Sequence, residues 1–235
     1  MKDNESYINP SIYLSNYLND FEDIITEYDV VKKRIRKGEF LTQYGVINNT
    51  AYYIKEGVIH LSLGHENGKK SLCLFGPGTI FPVGVEIHEF RAEYEMIIQA
   101  FSDIEVYAMS YTTLKTIVQE NGKLAGELLK ENCDFIGYMF LDTINQTFEP
   151  CLSRICDILY LYLINIQPLQ DIVPLSQSEL ASIAGVSLVQ VERIVKKLKN
   201  EEIITTSRKQ IIILDKNKLL AHCTLSMQSN INEKV

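Results

Sequence analysis

Two helix-start signatures eleven residues apart, in LSQSELASIAGVSLVQVERIVKKLKNEEII (175–204), constrain this chain more than any other feature. Ser176 is followed three residues later by Glu179, and Ser187 three residues later by Gln190. In each pair the serine hydroxyl can accept the third residue's N–H while the third side chain reaches back to the serine N–H, satisfying two donors that a helix start leaves orphaned. Gly185 lies between the two and permits a tight turn. Leu180, Ile183 and Ala184 give the first helix an inward stripe, and Val191, Ile194, Val195 and Leu198 give one to the second. Leu188, Val189, Glu192, Arg193, Lys196 and Lys197 are left facing outward. The following EEIITTSRKQIIILD reads as a β-hairpin with Arg208 and Lys209 at its tip, a wing beside the helices. Two helices of this size suit a DNA major groove, with the first turns of the second helix nearest the bases. Such pairs also occur as plain structural elements.

The charge of the whole chain, −7, argues against a nucleic-acid partner only if it is spread evenly, and it is not. Residues 1–149 hold 13 Lys and Arg against 22 Asp and Glu, whereas residues 150–235 hold 10 against 8. The third of the chain that carries the helix pair is therefore mildly basic. The longest apolar-looking run, ICDILYLYLINI (155–166), contains Asp157 and Asn165 and is too short to span a bilayer, and the N-terminus pairs no basic flank with an apolar run. The expectation is a soluble, cytoplasmic protein with no membrane partner. Cysteines stand at 73, 133, 151, 156 and 223, an odd number without a CxxC pair, which argues against a disulfide framework and a closed zinc site. No metal ligand set is expected.

Upstream the pattern changes twice. Residues 11–31 read as a helix, followed by a basic knot of Lys32, Lys33, Arg34, Arg36 and Lys37. From Gly38 to about 110 the chain alternates in short runs cut by turn signals, with Asn67-Gly68 between VIHLSL and KSLCLF as a hairpin signal. Many short strands at this spacing predict an antiparallel sandwich or barrel. TTLKTIVQENG then predicts a short helix ending at Gly122, and a long helix follows to about 148. A half-apolar heptad seam through Leu129, Asn132, Ile136, Met139 and Thr143 suits a two-helix dimer contact, with a helix lying on its own sheet as the alternative. Pro150 opens a further helix over 151–166.

TAYYIKEGVIHLSLGHENGKKSLCLFGPGTIFPVG resembles the cyclic-nucleotide-binding-type β-roll of the Crp/Fnr superfamily of bacterial transcription regulators. LSRICDILYLYL is similar to that family's helix leading into its DNA-binding domain, and the segment from 175 resembles its helix-turn-helix. The likeness covers nearly the whole chain. It implies an α+β protein in three parts: a jelly-roll-like antiparallel β-roll sensor domain with an N-terminal helix (1–122), a long dimerisation helix (123–149) and a winged helix-turn-helix (150–235). It further implies a homodimer on a palindromic double-stranded DNA site, a small effector, and RNA polymerase as a partner.

The departures from the family are informative. Its cyclic-AMP-responsive members hold the nucleotide phosphate with a Gly-Glu and an Arg-Ser pair, where a gap-free alignment places Val83-Gly84 and Tyr94-Glu95. A carboxylate there repels a phosphodiester. The adenine-facing positions become Met139 and Phe140. The expected pocket therefore comprises Val83, Gly84, Tyr94, Glu95, Met139 and Phe140, and suits a small apolar or aromatic effector rather than cyclic AMP. Residues 1–72 contain no cysteine, so the family's N-terminal iron–sulfur ligands are missing. Of His60, His65, His88 and His222, only His88, in the loop beside the expected pocket, is weighed as a haem ligand, and the reading preferred is an exposed loop histidine.

In the second helix, Leu188 and Val189 replace an Arg and a Glu with which relatives read a G-rich half-site, and apolar side chains can pack on thymine methyls. Gln190 either reads adenine or closes its capping box. Arg193 is the candidate for a guanine contact, with a phosphate as the alternative. Lys196, Lys197 and Lys209 are expected on phosphates, which position without specifying sequence. Ser187, Glu192 and Arg208 complete the expected DNA face. A ligand-binding or protein-interaction module with a decayed DNA element is the competing reading. An enzyme is disfavoured, since no phosphate-binding glycine loop, HExxH or nucleophile elbow is present and Glu86, Glu89, Glu93 and Glu95 read as a solvated loop.

Overall fold

The computed structural model describes residues 13–42, 49–65, 68–83, 95–166 and 170–232. Within them the chain divides into two compact units, Tyr13–Ile136 and Gly137–Val235. The first is a roll of two four-stranded sheets. One has the order β1 (Tyr13–Leu14), β5 (Gly68–Phe75), β4 (Ile59–His65), β7 (Glu95–Ala100). The other has the order β2 (Val31–Ile35), β8 (Ile104–Ser110), β3 (Thr50–Glu56), β6 (Thr79–Phe81). Every pairing is antiparallel except β1 on β5. Leu18, Ile25, Tyr53, Ile80 and Ile117 pack into one buried cluster, which takes one face of the β2-β8-β3-β6 sheet and the helices against it out of water. Between β3 and β4 the chain turns at Gly57 with φ +82°, where a Cβ would run into the Asp103 carbonyl oxygen. Only glycine fits that approach.

Residues 11–31 do not form the single helix that their mixed spacing of apolar residues predicts. Tyr13–Leu14 is instead a strand on β5, followed by a 3-10 turn (Asn19–Phe21) and the short helix α1 (Glu22–Thr26). Asn16 has φ +69°, and its side-chain oxygen accepts a hydrogen bond from Asn19 at 2.9 Å. Short amide side chains that bond locally offer the backbone an alternative to helix. The fixed points are the core residues Leu14, Leu18 and Ile25, which the irregular path delivers to the interior. The basic knot becomes the edge strand β2, where Lys32 and Arg34 both bond the Glu105 carboxylate, at 2.6 and 2.9 Å. Those two cations hold that carboxyl below the usual range. The β4–β5 hairpin is present, but its register pairs His65 with Gly68. The connection is thus Glu66 and Asn67, outside the described residues and one position earlier than the turn expected at Asn67-Gly68.

After β8, Ser110 caps α2 (Tyr111–Glu120) by accepting the Thr113 N–H at 3.0 Å. The long helix α3 (Gly122–Phe148) follows, with Leu124 and Leu128 in the core of the roll. The second unit continues with α4 (Cys151–Leu161), opened by Pro150, and a π-helical turn (Tyr162–Ile166). Then come β9 (Ile172–Val173), α5 (Gln177–Ala184), α6 (Leu188–Asn200), the hairpin β10 (Ile204–Ser207) and β11 (Gln210–Ile213), and the short α7 (Lys216–Ala221) and α8 (Leu225–Asn232). Among the described residues, no helix is long and apolar enough to cross a membrane. The architecture is α+β: an antiparallel roll, a long helix and a C-terminal helix-turn-helix with its wing.

Candidate nucleic-acid interface

The interface is built by the two serine caps. Ser176 accepts the Glu179 N–H at 3.2 Å while Glu179 Oε2 accepts the Ser176 N–H at 2.7 Å, and α5 starts there. Its buried face is Leu180, Ala181, Ile183 and Ala184. Gly185, left-handed at φ 62° and ψ 40°, ends α5. Two residues later Ser187 accepts the Gln190 N–H at 3.3 Å, and Gln190 Oε1 accepts the Ser187 N–H at 2.9 Å. Val191, Ile194, Val195 and Leu198 then bury one side of α6.

The other side of α6 faces solvent. Val189 is 72 % exposed and Leu188 44 %, and Glu192, Arg193, Lys196 and Lys197 are exposed beside them. Lys197 lies 3.8 Å from Glu201, one turn on. The side chains of Arg193, Lys196, Arg208 and Lys209 have no partner among the described residues. Charges left unpaired on a curved surface can be offered to phosphates or base edges. In the wing, Ser207 pairs with Gln210, so Arg208 and Lys209 form the two-residue tip, Lys209 at φ 55°. Lys199 Nζ donates to Thr206 Oγ1 at 3.2 Å and ties α6 to the wing. A groove lined by Ser176, Gln177, Leu188, Glu192, Thr206 and Lys209 runs between the start of α5, α6 and the wing.

Gln190 is an expected DNA contact whose side chain is already committed. Its oxygen also accepts the Ser187 hydroxyl at 3.0 Å, and its Nε2 donates to Cys151 Sγ at 3.5 Å. A base-reading glutamine must present both amide atoms together, and here the oxygen closes the cap while the nitrogen turns to the Cys151 sulfur.

The residues expected to line an effector pocket are only partly described. Val83 is half-buried against the core of the roll. Gly84, Tyr94 and His88 lie outside the described residues, and Glu95 opens β7. Met139 is half-buried and Phe140 is 66 % exposed. Of the expected seam, Leu129 (66 %) and Ile136 (51 %) are exposed, Asn132 donates to Leu128 O, and Thr143 to Met139 O. The exposed apolar run leaves the heptad after Ile136 and continues at spacing four through Phe140, Ile144 and Phe148.

Two features escaped the sequence reading. Glu131 interrupts the inward stripe of Leu124, Leu128 and the half-buried Phe135 on α3; it is 2 % exposed and accepts the Ile80 N–H at 3.3 Å. Burial pushes its carboxyl up to about 8. The break in the apolar spacing was the available signal. Around it Phe75 stacks on Phe81 at 4.3 Å between ring centroids, Phe135 lies against both, and Tyr17 Oη donates to Asp134 at 2.7 Å. The second feature is a contact set at the start of α4, where Arg154 Nη1 donates to Ala184 O at 3.1 Å and Nη2 to Cys151 Sγ at 3.4 Å. Cys73, Cys156 and Cys223 are buried, and burial raises the Cys156 thiol to about 12, which makes it inert. Asp157 spends its carboxylate on Thr224, from N–H and Oγ1 at 2.9 Å each. Among the described residues no group of three or more His, Cys, Asp or Glu could hold a metal ion.

The family model of the Crp-like helix-turn-helix domain matches residues 153–222, and that of the cyclic nucleotide-binding domain matches residues 32–121. The c-di-GMP-responsive global regulator CLP of Xanthomonas campestris is similar in structure, with a TM-score of 0.70 at 17 % identity, over 83 % of this chain and 98 % of its own. A CRP/FNR-family transcriptional regulator from Thermus thermophilus aligns with a TM-score of 0.66 at 20 % identity, covering 80 % and 96 % of the two chains. FixK2 from Bradyrhizobium japonicum aligns at 0.67 and 16 % identity, covering 83 % and 98 %. At these identities the likeness is one of fold. No curated protein matches the chain by sequence.

Proposed function

From the premise that this chain belongs to the Crp/Fnr superfamily of transcription regulators, a DNA-binding family and not an enzyme family, we propose that it acts as an effector-responsive homodimer on a two-fold DNA site. The observation that carries this is the outward face of α6. Leu188, Val189 and Arg193 stand exposed on its first turns, flanked by Lys196 and the basic wing tip. Leu188 and Val189 pack on thymine methyls, Arg193 reads a guanine, and Lys196 and Lys209 meet phosphates. A second copy fits on α3, because Leu129, Ile136, Phe140, Ile144 and Phe148 form an apolar run that no residue of the chain covers among those described. Two such α6 helices then enter successive major grooves about one helical turn, roughly 34 Å, apart. RNA polymerase is the expected further partner.

The effector is a small apolar or aromatic molecule and not cyclic AMP. In the alignment Glu95 takes the place where a phosphate would need a cation, and Phe75 and Phe81 of the roll lie against Phe135 of α3. Effector class differs among structures of this fold, CLP being responsive to c-di-GMP.

The test is a pair of substitutions measured by fluorescence anisotropy on a panel of duplexes. Arg193→Ala is expected to cost about 1–3 kcal/mol and to relax one base position, while Lys196→Ala weakens every duplex alike and lowers the salt slope by about one. Equal loss across all sequences for both variants would overturn these roles. The exposure of Leu188 and Val189 also favours a second reading, a protein-docking helix. That reading requires binding to duplex DNA to be absent or independent of salt.

A further inference from the structure

Gln190 is positioned as part of a device that reaches back to the start of α4. Its Oε1 takes both donors of Ser187, and its Nε2 points to Cys151 Sγ. The same sulfur accepts from Arg154 Nη2, and the other arm of that guanidinium donates to Ala184 O, the last carbonyl of α5 before the Gly185 turn. A helix's final carbonyls lack intrahelical donors, so this contact fixes the end of α5 while the sulfur contact fixes the start of α6. Arg154 Nε is buried with no hydrogen-bond partner among the described residues. A buried donor left unsatisfied is costly, so the guanidinium is held where its two outer contacts require it rather than where all its donors are filled. Cys151 occupies the first position of α4 after Pro150, three residues beyond the end of α3 at Phe148.

We infer that Cys151 and Arg154 form a latch that sets the angle of the recognition helix, and that Gln190 is a positioning residue of this latch rather than a base reader. The sulfur joins the two arms: the helix entering the DNA-binding unit holds both helices of the motif across their turn, through three side chains and one carbonyl. Which bases Leu188, Val189 and Arg193 meet then depends on the register of α4. The inference rests on the proposal that α6 reads DNA.

The experiment uses the full chain with Cys151→Ala, Cys151→Ser, Gln190→Ala and the double variant C151A/Q190A. Affinity is read on a selected duplex and on its scrambled counterpart, and amide hydrogen exchange at Ser187–Val191 is read without DNA. The latch predicts that C151A loses roughly five-fold or more on the selected duplex, within the range of coupled contacts. Affinity for the scrambled duplex stays within about two-fold, because phosphate contacts persist. C151S, which keeps an acceptor, recovers most of the loss, and the double variant is no weaker than the weaker single variant. In DNA-free protein the Gln190 amide exchanges faster in C151A and not in C151S. Additive losses, or a single base position relaxed by Q190A with C151A unchanged, would make Gln190 a reader and overturn the latch. If the native chain does not distinguish the two duplexes, the DNA reading fails, and the exchange data alone decide the latch: unchanged protection in C151A removes it.

Discussion

Replacing Glu131 with Gln is expected to stabilise the sensor unit, by an amount that grows with pH. Glu131 lies at 2 % exposure in the apolar stripe of α3, and its carboxyl is raised from 4.5 to about 8 by burial, with the Ile80 N–H pulling the other way. The folded chain therefore keeps a proton that the unfolded chain gives up above about pH 4.5. Stability is at its full value below that pH and falls as pH rises towards 8, since each unit costs about 1.4 kcal/mol. From 4.5 to pH 7 the cost accumulates to about 3 kcal/mol, an upper figure, since the unfolded ensemble is not fully solvated. Gln keeps an oxygen for Ile80 N–H and cannot ionise. Urea unfolding of both proteins between pH 4.5 and 8.5, monitored by tyrosine fluorescence, gives the difference directly. It should be near zero at pH 4.5 and grow by roughly 1 kcal/mol per pH unit up to about 8. A difference that does not change with pH would refute the claim that Glu131 is carried neutral in the fold.

Replacing Phe140 and Ile144 with Asp should dissociate the proposed dimer without unfolding it, because both are exposed in the single chain. Each removes an apolar burial worth about 1.5–3 kcal/mol in a dimer, so the dissociation constant should rise at least about a hundred-fold in sedimentation equilibrium. Cyclic AMP should leave the melting temperature unchanged, whereas any ligand of the folded state at a hundred times its Kd adds about 2.7 kcal/mol. A shift with cyclic AMP would contradict the assignment of Glu95.

The parts of this molecule that were legible in the sequence are those specified locally. Each serine cap and its partner lie three residues apart, and Gly185 sits where α5 needs a left-handed residue to end, so the starts of α5 and α6 and the turn between them could be placed. The long helix was legible from its helical spacing, half-apolar and broken at Glu131, between Gly122 and Pro150. What was not legible depends on distant chain. Tyr13 and Leu14 become a strand only because β5, some sixty residues on, offers an edge, and nothing within 11–31 signals that. The commitment of Gln190 depends on Cys151, 39 residues away, so the sequence could leave its two roles only as alternatives.

The most direct test of the account is selection of bound sequences from a random duplex pool by the purified chain, at two salt concentrations. The account predicts a two-fold site whose half-sites carry T-rich positions under Leu188 and Val189 and one guanine under Arg193, with affinity falling steeply as salt rises. A pool that stays random, or a site with no two-fold symmetry, would contradict it.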